Sequence, residues 1–326
     1  MKKRGILVVL SATVVTLAVV LGMFFEGEIT SADNTDLSVA ETEETTMETE
    51  EEAEEEPEPT YIELYGLEEV DKPQRRTRAQ VNQRLKELSE EYELIEEIYK
   101  NIALYSNDVL EHLANNPEMA AFVLGTLEAD GSVTGGFTEA ELEAEFPLLL
   151  QFDPRWGYVQ YGKNEMGISG CGPTCLSMML LALTDVNTVT PDKIVAYSLE
   201  NEYYVAGVGT AWKLLDEFPK LYNLTVEHPT LKEESLKAAL DQGKVLICSV
   251  KQGVFTANGH FIMIYGYDET GFKVNDPMCV ARSNRTWKFT EFGRQLKQVW
   301  AYGNPINKDF GQKRPQTTEN IMQISK

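Results

Sequence analysis

The chain of 326 residues is predicted to fold as an α+β protein. Residues 76–130 carry apolar side chains at three- and four-residue steps, a spacing typical of amphipathic helices. Residues 245–302 instead contain short apolar runs, which are typical of buried strands. Hydrophobic side chains make up 43% of the chain, enough for a substantial core. Helices first and strands afterwards is an α+β pattern.

The first 25 residues resemble a targeting segment. Lys2, Lys3 and Arg4 precede an uncharged, mostly apolar run over residues 6–25, which is long for a signal peptide and about long enough to span a bilayer. We expect residues 1–25 to be a signal peptide or a membrane anchor, with the positive end in the cytoplasm. The protein is therefore expected to be exported, as a secreted protein or one held by residues 6–25 at the extracellular face of the membrane.

The formal net charge of -23 is concentrated in one segment. Residues 26–60 contain 15 acidic residues and no lysine or arginine, so we expect a disordered acidic linker there. Residues 61–326 hold 37 acidic and 26 basic residues, a net charge of about -11. A moderately acidic folded part argues against nucleic acid as a partner.

The folded part is predicted to contain two regions. Residues 61–145 are assigned to a helical subdomain, whose apolar faces need the following domain as a packing partner. Residues 146–305 are assigned to a second domain, and residues 306–326 to a C-terminal tail. A further helix is predicted to begin at Pro191. The predicted strands cover residues 245–250, 260–265, 272–275 and 299–302.

Cys171 lies in the most informative stretch of the chain, Ile-Ser-Gly-Cys-Gly-Pro-Thr-Cys-Leu-Ser-Met-Met-Leu-Leu over residues 168–181. A permissive turn leads there into an apolar run at helical spacing, and Pro173 fits the first turn of a helix. The free N–H groups at a helix N-terminus favour an anion, and a thiolate at such a position is a good nucleophile. The alternative is a buried, inert cysteine before a core helix.

His260 and Asp276 are the candidate partners of this thiol. The chain has three histidines, of which His112 and His228 are expected at the surface. His260 opens an apolar strand, and Asp276 ends the second strand of an apparent hairpin. If the strands pair, the carboxylate can fix the imidazole tautomer and favour imidazolium, which in turn favours the thiolate.

The register of this hairpin decides whether the two side chains share a face. Residues directly opposite on antiparallel strands have numbers with a constant sum, which is 536 for His260 and Asp276. A two-residue turn at residues 269–270 gives 539 and places Asp276 on the other face. We predict a loop centred within a residue of Asp268, or a bulge at Gly271 that restores the parity.

Gln151 completes the candidate site. It precedes Cys171 by 20 residues. Its side-chain amide and the backbone N–H of Cys171 could together form an oxyanion hole, which would stabilise the negative oxygen that develops during attack on a carbonyl. Taken alone, a glutamine such as Gln151 is more often an exposed polar residue.

Together these residues resemble the C39-like branch of the papain-like cysteine peptidases, in its exported bacterial form. The matching pieces cover roughly residues 146–303, and they imply a papain-like fold with Gln151, Cys171, His260 and Asp276 in the catalytic roles. The pieces read Leu-Gln-Phe-Asp-Pro-Arg-Trp-Gly (150–157), Ser-Gly-Cys-Gly-Pro-Thr (169–174), Gly-His-Phe-Ile-Met-Ile-Tyr-Gly-Tyr-Asp (259–268) and Asn-Asp-Pro (275–277).

Metal and phosphate sites are not expected. No Cys–x–x–Cys pair or Cys/His pair has metal-ligand spacing, so we predict no metal and no cofactor. Residues 157–163 resemble a phosphate-binding loop, but Asn164 stands where a serine or threonine should bind magnesium. A Cys248–Cys279 disulfide is conceivable in an exported protein.

The sequence thus predicts an exported cysteine hydrolase that cleaves peptide or amide bonds, with a peptide or protein as substrate, and a cell-wall peptide as one possibility. Two alternatives stay open. One is a catalytically silent papain-like module that binds the cell surface or wall. The other is an acyl transferase that uses the same thioester, since the outcome depends on whether water or an amine reaches it.

Overall fold

The computed structural model describes residues 58–305. The chain begins there with a group of short helices that precede the sheet. Thr60, Thr77 and Ser106 cap three of them, each accepting a hydrogen bond from a first-turn N–H. The helices of this extension are α1 (Tyr61–Tyr65), α2 (Arg78–Ser89), α3 (Glu93–Lys100), α4 (Asn107–Asn115) and α5 (Ala120–Gly125), with 3₁₀ turns at Ile102–Leu104 and Pro117–Met119.

The middle of the chain supplies further helices and two small hairpins. Helix α9 begins at Pro191, as predicted. The elements are α6 (Glu139–Glu143), β1 (Gln160–Tyr161), β2 (Asn164–Glu165), α7 (Met166–Ser169), α8 (Cys171–Leu183), α9 (Pro191–Glu200), β3 (Tyr204–Val205), β4 (Gly209–Thr210), α10 (Trp212–Glu217) and a 3₁₀ turn at Phe218–Tyr222.

A six-stranded antiparallel sheet follows, with the order β5-β10-β6-β7-β8-β9. All four predicted strands are present in it, and the short strands β5 and β9 are additions that the sequence analysis did not predict. Its elements are β5 (Thr225–Glu227), α11 (Glu233–Leu240), β6 (Val245–Lys251), β7 (Gly259–Tyr267), β8 (Phe272–Asn275), α12 (Val280–Ser283), β9 (Thr286–Trp287), α13 (Phe289–Phe292), a 3₁₀ turn at Gly293–Gln295 and β10 (Leu296–Gly303).

The two faces of the sheet bury different partners because side chains alternate along a strand. On β7, Phe261 and Met263 join the core that contains Leu176 and Leu180 of α8. The intervening Ile262 and its neighbour Ile264 join a second core with α11. Helices packed on an antiparallel sheet are the predicted α+β class.

The extension does not have a core of its own. Its buried side chains, such as Leu85 and Phe122, form one cluster with Phe152, Ile168 and Met278 from the sheet-bearing part. The predicted need of the helical faces for the following domain is therefore met. From Thr60 onward the described residues belong to a single compact unit.

Within residues 58–305, no helix is long and apolar enough to cross a bilayer. The predicted targeting segment at residues 1–25, residues 26–57 of the predicted linker and the tail at residues 306–326 lie outside the described residues.

The shared core predicts that Leu85→Ala destabilises the whole unit. Leu85 is fully buried in α2, and truncation of a buried leucine costs about 2–5 kcal/mol. All four tryptophans of the chain lie between residues 156 and 300, outside the extension. Urea unfolding followed by tryptophan fluorescence should therefore shift to lower urea, whereas Leu104→Ala, at an exposed site of the extension, should leave the curve unchanged. An unchanged curve for Leu85→Ala would mean that the extension unfolds independently.

Candidate active site

The predicted nucleophile stands at the start of the helix that packs on the sheet. Cys171 is the first residue of α8, and Gly170 precedes it. The Gly170 carbonyl accepts the first helical bond from Thr174 N–H at 3.0 Å. First-turn N–H groups have no acceptor within a helix, and Pro173 has no N–H, so the donors of Cys171 and Gly172 remain for other acceptors. The positive end of α8 therefore lies at Cys171.

Gly172 permits a close approach between this turn and the β3–β4 hairpin. A Cβ atom at Gly172 would lie 2.8 Å from Thr210 Oγ1, closer than real Cβ contacts. The Thr210 hydroxyl is in turn hydrogen-bonded to Tyr161 Oη at 3.0 Å. The glycine in the Gly-Cys-Gly-Pro turn thus lets the hairpin pack directly beside Cys171.

The structure brings His260, Asp276 and Cys171 together. His260 Nε2 donates a hydrogen bond to Asp276 Oδ1 at 2.7 Å, and both residues are buried. The Cys171 thiol interacts with the His260 side chain and contributes to its raised pKa. Because the carboxylate occupies Nε2, Nδ1 is the ring nitrogen left for the thiol.

The hairpin reaches this contact through a register that differs from the predicted one. Near the turn, Tyr267 pairs with Phe272, which closes a four-residue loop centred beyond Asp268. The register then shifts between Ile264 and Gly266, and Met263 pairs with Asn275. Both the predicted loop centre and the predicted bulge at Gly271 are therefore wrong.

The parity argument nevertheless holds, because the bulge at Tyr265 on β7 changes the sum of paired residue numbers from 539 to 538. Continued by one residue beyond the Met263–Asn275 pair, this register places Asp276 opposite Ile262. His260 is two residues from Ile262 and so shares its face. The carboxylate reaches the imidazole diagonally rather than from a directly opposite position, a separation that side chains can bridge.

The buried carboxylate sets the charge state of the imidazole. Burial by itself lowers the pKa of His260, but the charge and hydrogen bond of Asp276, together with the Cys171 thiol, outweigh it and raise the pKa to about 9. Burial likewise raises the pKa of Asp276, but the Arg282 and His260 charges outweigh it and lower the pKa to about 2. An imidazolium–carboxylate pair is therefore present across the neutral pH range.

Cys171 is distinguished from the other three thiols by its exposure. It is partly exposed, whereas Cys175, Cys248 and Cys279 are buried, and all four are free thiols. Burial raises the pKa of Cys175, of Cys248 and of Cys279, which keeps these thiols protonated and unreactive. The conceivable Cys248–Cys279 disulfide is absent from the structure.

Gln151 is buried beside the same elements rather than exposed. Its side-chain Nε2 donates to the carbonyl of Gly167, on α7, at 3.0 Å, and its backbone N–H donates to the carbonyl of Pro277 at 2.8 Å. The residue therefore joins the segment before Cys171 to the segment after Asp276. One Nε2 hydrogen is used in this way, and the second remains available to an acceptor.

Sequence reasoning missed Arg282. Its buried guanidinium donates from Nε to Asp276 Oδ2 at 2.6 Å, on the opposite side of the carboxylate from His260. The backbone N–H of Met278 adds a third bond, to Oδ1, at 2.9 Å. An arginine in the apolar string Met-Cys-Val-Ala-Arg was a signal of a buried, paired charge, since arginine is rarely buried alone.

The other two histidines lie outside this group. His228 is exposed, as predicted, and pairs with Asp216. His112 is partly buried, so it is not the exposed residue that was predicted. It lies on α4, and its Nδ1 is bonded to the Asp108 carbonyl at 2.7 Å. Among the described residues there is no group of three His, Cys, Asp or Glu side chains that could hold a metal ion.

The electrostatics predict that Asp276→Asn lowers the pKa of His260 by about 1–3 units, because the variant removes the charge that opposes burial. The wild-type ring should keep its proton until the pH rises to about 9. NMR titration of labelled histidine measures both values. Asp268→Asn, which makes the same chemical change in the loop of the same hairpin, should leave the His260 titration where it is. Equal titration midpoints in wild type and Asp276→Asn would contradict this account of the pair.

Two of the solved structures that resemble the chain match less than half of its length. No curated protein matches the chain. Among solved structures, a C39-like peptidase from Bacillus anthracis is 16% identical, covers 49% of this chain and 94% of its own, and has a TM-score of 0.36. The peptidase domain of Streptococcus ComA, a bi-functional ABC transporter of a quorum-sensing pathway, is 16% identical, with coverage of 41% and 91% and a TM-score of 0.33.

A family model gives the assignment. The model described as "Peptidase_C39 like family" matches residues 144–305, which span the helix of Cys171, the whole six-stranded sheet and the segment that carries Gln151. Residues 144–305 therefore form a domain of the C39-like peptidase family.

Proposed function

We propose that this domain is a cysteine hydrolase that cleaves peptide or amide bonds. The observation that carries the proposal is the arrangement of three side chains. A partly exposed thiol lies at a helix N-terminus, within reach of an imidazole whose far nitrogen is held by a buried carboxylate. This is the geometry of an activated nucleophile, its base and the group that orients the base.

The proposed reaction has two halves. The sulfur of Cys171 attacks the substrate carbonyl carbon, which forms a C–S bond and a negatively charged oxygen. His260 donates its proton to the leaving amine as the C–N bond breaks, and a thioester remains. A water molecule then attacks the thioester and gives a proton to the imidazole, and the thiolate leaves with the carboxylic acid as product.

Gln151 is the proposed side-chain donor to the negative oxygen, together with the backbone N–H of Cys171. Two features support the role. The amide is fully buried and anchored by Gly167, so little conformational entropy is lost when substrate binds. Its second Nε2 hydrogen is not used by the Gly167 bond.

Export and the nature of the substrate belong to the same proposal. The basic residues at positions 2–4 and the apolar run over residues 6–25 support delivery of the domain to the outer side of a bacterial membrane. A peptide substrate follows from the peptidase family, and wall peptides are one class present at that location. Fractionation of cells that express the full chain would locate it; recovery in the cytoplasm alone would contradict export.

The function is tested with purified protein in two steps. A thiol-directed probe such as iodoacetamide at pH 6 should label Cys171 and leave the three buried thiols unmodified. Cleavage is then profiled on a peptide library and on purified peptidoglycan, with Cys171→Ser as the matched inactive control. Labelling without any cleavage would overturn hydrolysis. A product joined to an added amine would instead identify acyl transfer, and equal cleavage by Cys171→Ser would exclude the thiol as nucleophile.

Gln151→Ala is predicted to lower kcat by about 10²–10³-fold with little change in KM, because the lost bond is made to the developing oxyanion. Steady-state kinetics on the best library peptide measure the two constants. Gln160→Ala removes an exposed glutamine of the same domain and should leave both unchanged. An unaltered kcat for a folded Gln151→Ala protein would show that the residue is structural.

A further inference from the structure

Glu118 of the extension is a buried carboxylate that reaches into the C39-like domain. It belongs to the 3₁₀ turn after α4 and is only 2% exposed. Its Oε2 accepts from Val280 N–H at 2.8 Å, and its Oε1 accepts from Ala281 N–H at 3.0 Å and from Leu67 N–H at 3.0 Å. Two of its three donors therefore belong to the first turn of α12.

Helix α12 in turn holds Asp276. Arg282 donates from Nε to the Asp276 carboxylate at 2.6 Å. The next residue, Ser283, accepts from the Asp276 backbone N–H at 2.9 Å. The helix has only four residues and little stability of its own, so its position depends on tertiary contacts. Glu118 supplies such a contact at the end of α12 where N–H groups would otherwise lack partners.

A second group of contacts from the extension holds the loop between Asp276 and α12. The side-chain amide of Asn116 donates to the carbonyl of Met278, and its Oδ1 accepts from Glu118 N–H at 3.2 Å. Tyr61 Oη donates to the Glu118 carbonyl at 2.9 Å, which ties the turn to α1. The loop between Asp276 and α12 is thus held on the extension by side chains that are themselves bonded.

The charges along this path alternate in sign. Glu118, Arg282, Asp276 and His260 are all buried, with exposures of 2%, 5%, 0% and 7%. With His260 protonated, two negative and two positive groups balance. Buried charges are stable only when paired, and removal of one leaves its neighbours uncompensated.

We propose that Glu118 is a positioning residue for the active site, which holds the Asp276 carboxylate against His260 through helix α12 and Arg282. The inference rests on the proposed function in that Asp276 is taken as the carboxylate of the catalytic triad. On this account the N-terminal extension takes part in catalysis without touching substrate, because one of its side chains sets the geometry and the charge balance of the triad.

The pKa of His260 is the quantity that the loss of Glu118 should change, and it depends on the charged and titratable groups around His260 and Asp276. His260 faces Cys171 of α8, Asp276 after β8 and, more distantly, His112 of α4. Charged and titratable groups around Asp276 are Arg282, His260 and the buried Cys175 and Cys279. Of these neighbours, Arg282 and Cys279 also interact electrostatically with Glu118, so its replacement changes their surroundings directly.

The test is Glu118→Gln, which keeps the shape of the side chain and removes its charge. The pKa of His260, measured by NMR titration, should fall by about 1 unit, because the positive charge of Arg282 is no longer balanced and opposes the imidazolium. A change of 1 unit in pKa is a tenfold change in equilibrium. The limb of the Cys171 alkylation pH profile that follows loss of the His260 proton should therefore shift to lower pH by about the same amount.

Two matched controls separate positioning from other effects. Glu63→Gln removes the same charge from an exposed site of the same extension. Leu85→Ala lowers the stability of the whole unit through the apolar cluster, and the cluster does not include the four charged groups. Both should retain the wild-type His260 titration and alkylation rate at temperatures where the proteins are folded.

The outcomes decide the proposal separately from the proposed function, since neither readout needs a substrate. A folded Glu118→Gln protein with wild-type titration and alkylation overturns the positioning role, whether or not the enzyme cleaves peptides. If Glu118→Gln does not fold, Glu118→Asp is measured, because it keeps the charge and withdraws the carboxylate by one methylene. A lowered His260 pKa in that variant supports the role, and a wild-type titration overturns it. Failure of both variants to fold would make Glu118 a structural residue only and overturn the proposal.

Discussion

The carboxylate of Asp276 is the group on which the rest of the site depends. It has no solvent exposure, so its charge is stable only with the three donors supplied by His260, Met278 and Arg282. These partners lower its pKa to about 2, and the resulting negative charge keeps a proton on a buried imidazole. Without the carboxylate, burial alone would favour a neutral ring, and the thiol would lose the cation beside it.

The fold meets the requirements of this carboxylate from three directions. The β7–β8 hairpin places it on the same face as His260 by means of a bulge at Tyr265. The short helix α12 brings an arginine to its other oxygen. The helix α8 presents Cys171 at its positive end, and Gly172 allows neighbouring strands to pack against that turn. Because these elements come from distant parts of the chain, the site exists only when the whole unit is folded.

The N-terminal extension packs against the segments that carry the candidate site, which a simple spacer would not do. Its buried side chains form a common cluster with residues that flank the site, namely Leu150 and Phe152 around Gln151, Ile168 before Cys171 and Met278 after Asp276. Packed interiors transmit displacements because they contain few voids. A change in the extension is therefore felt at the segments that carry the candidate catalytic residues, and Glu118 adds a direct polar link to the same region.

The sequence by itself determined the local features of this protein. The Gly-Cys-Gly-Pro turn determined that Cys171 stands at a helix start, short continuous apolar runs determined the long strands, and strand parity required His260 and Asp276 to share a face. These properties follow from periodicity and backbone chemistry, which act over a few residues. The tertiary structure alone decided the position of the bulge, because a bulge at any residue of the hairpin could have restored the parity that brings His260 and Asp276 to one face.

Only the tertiary structure also decided the burial of Gln151, the half-burial of His112 and the partners of Arg282 and Glu118. Glu118 and Ala281 are 163 residues apart in the chain, and no local pattern connects them. A buried charge is stabilised by whichever opposite charges and N–H groups the fold brings beside it. The sequence could therefore name the candidate site residues, but the groups that hold them in place were set by contacts between distant segments.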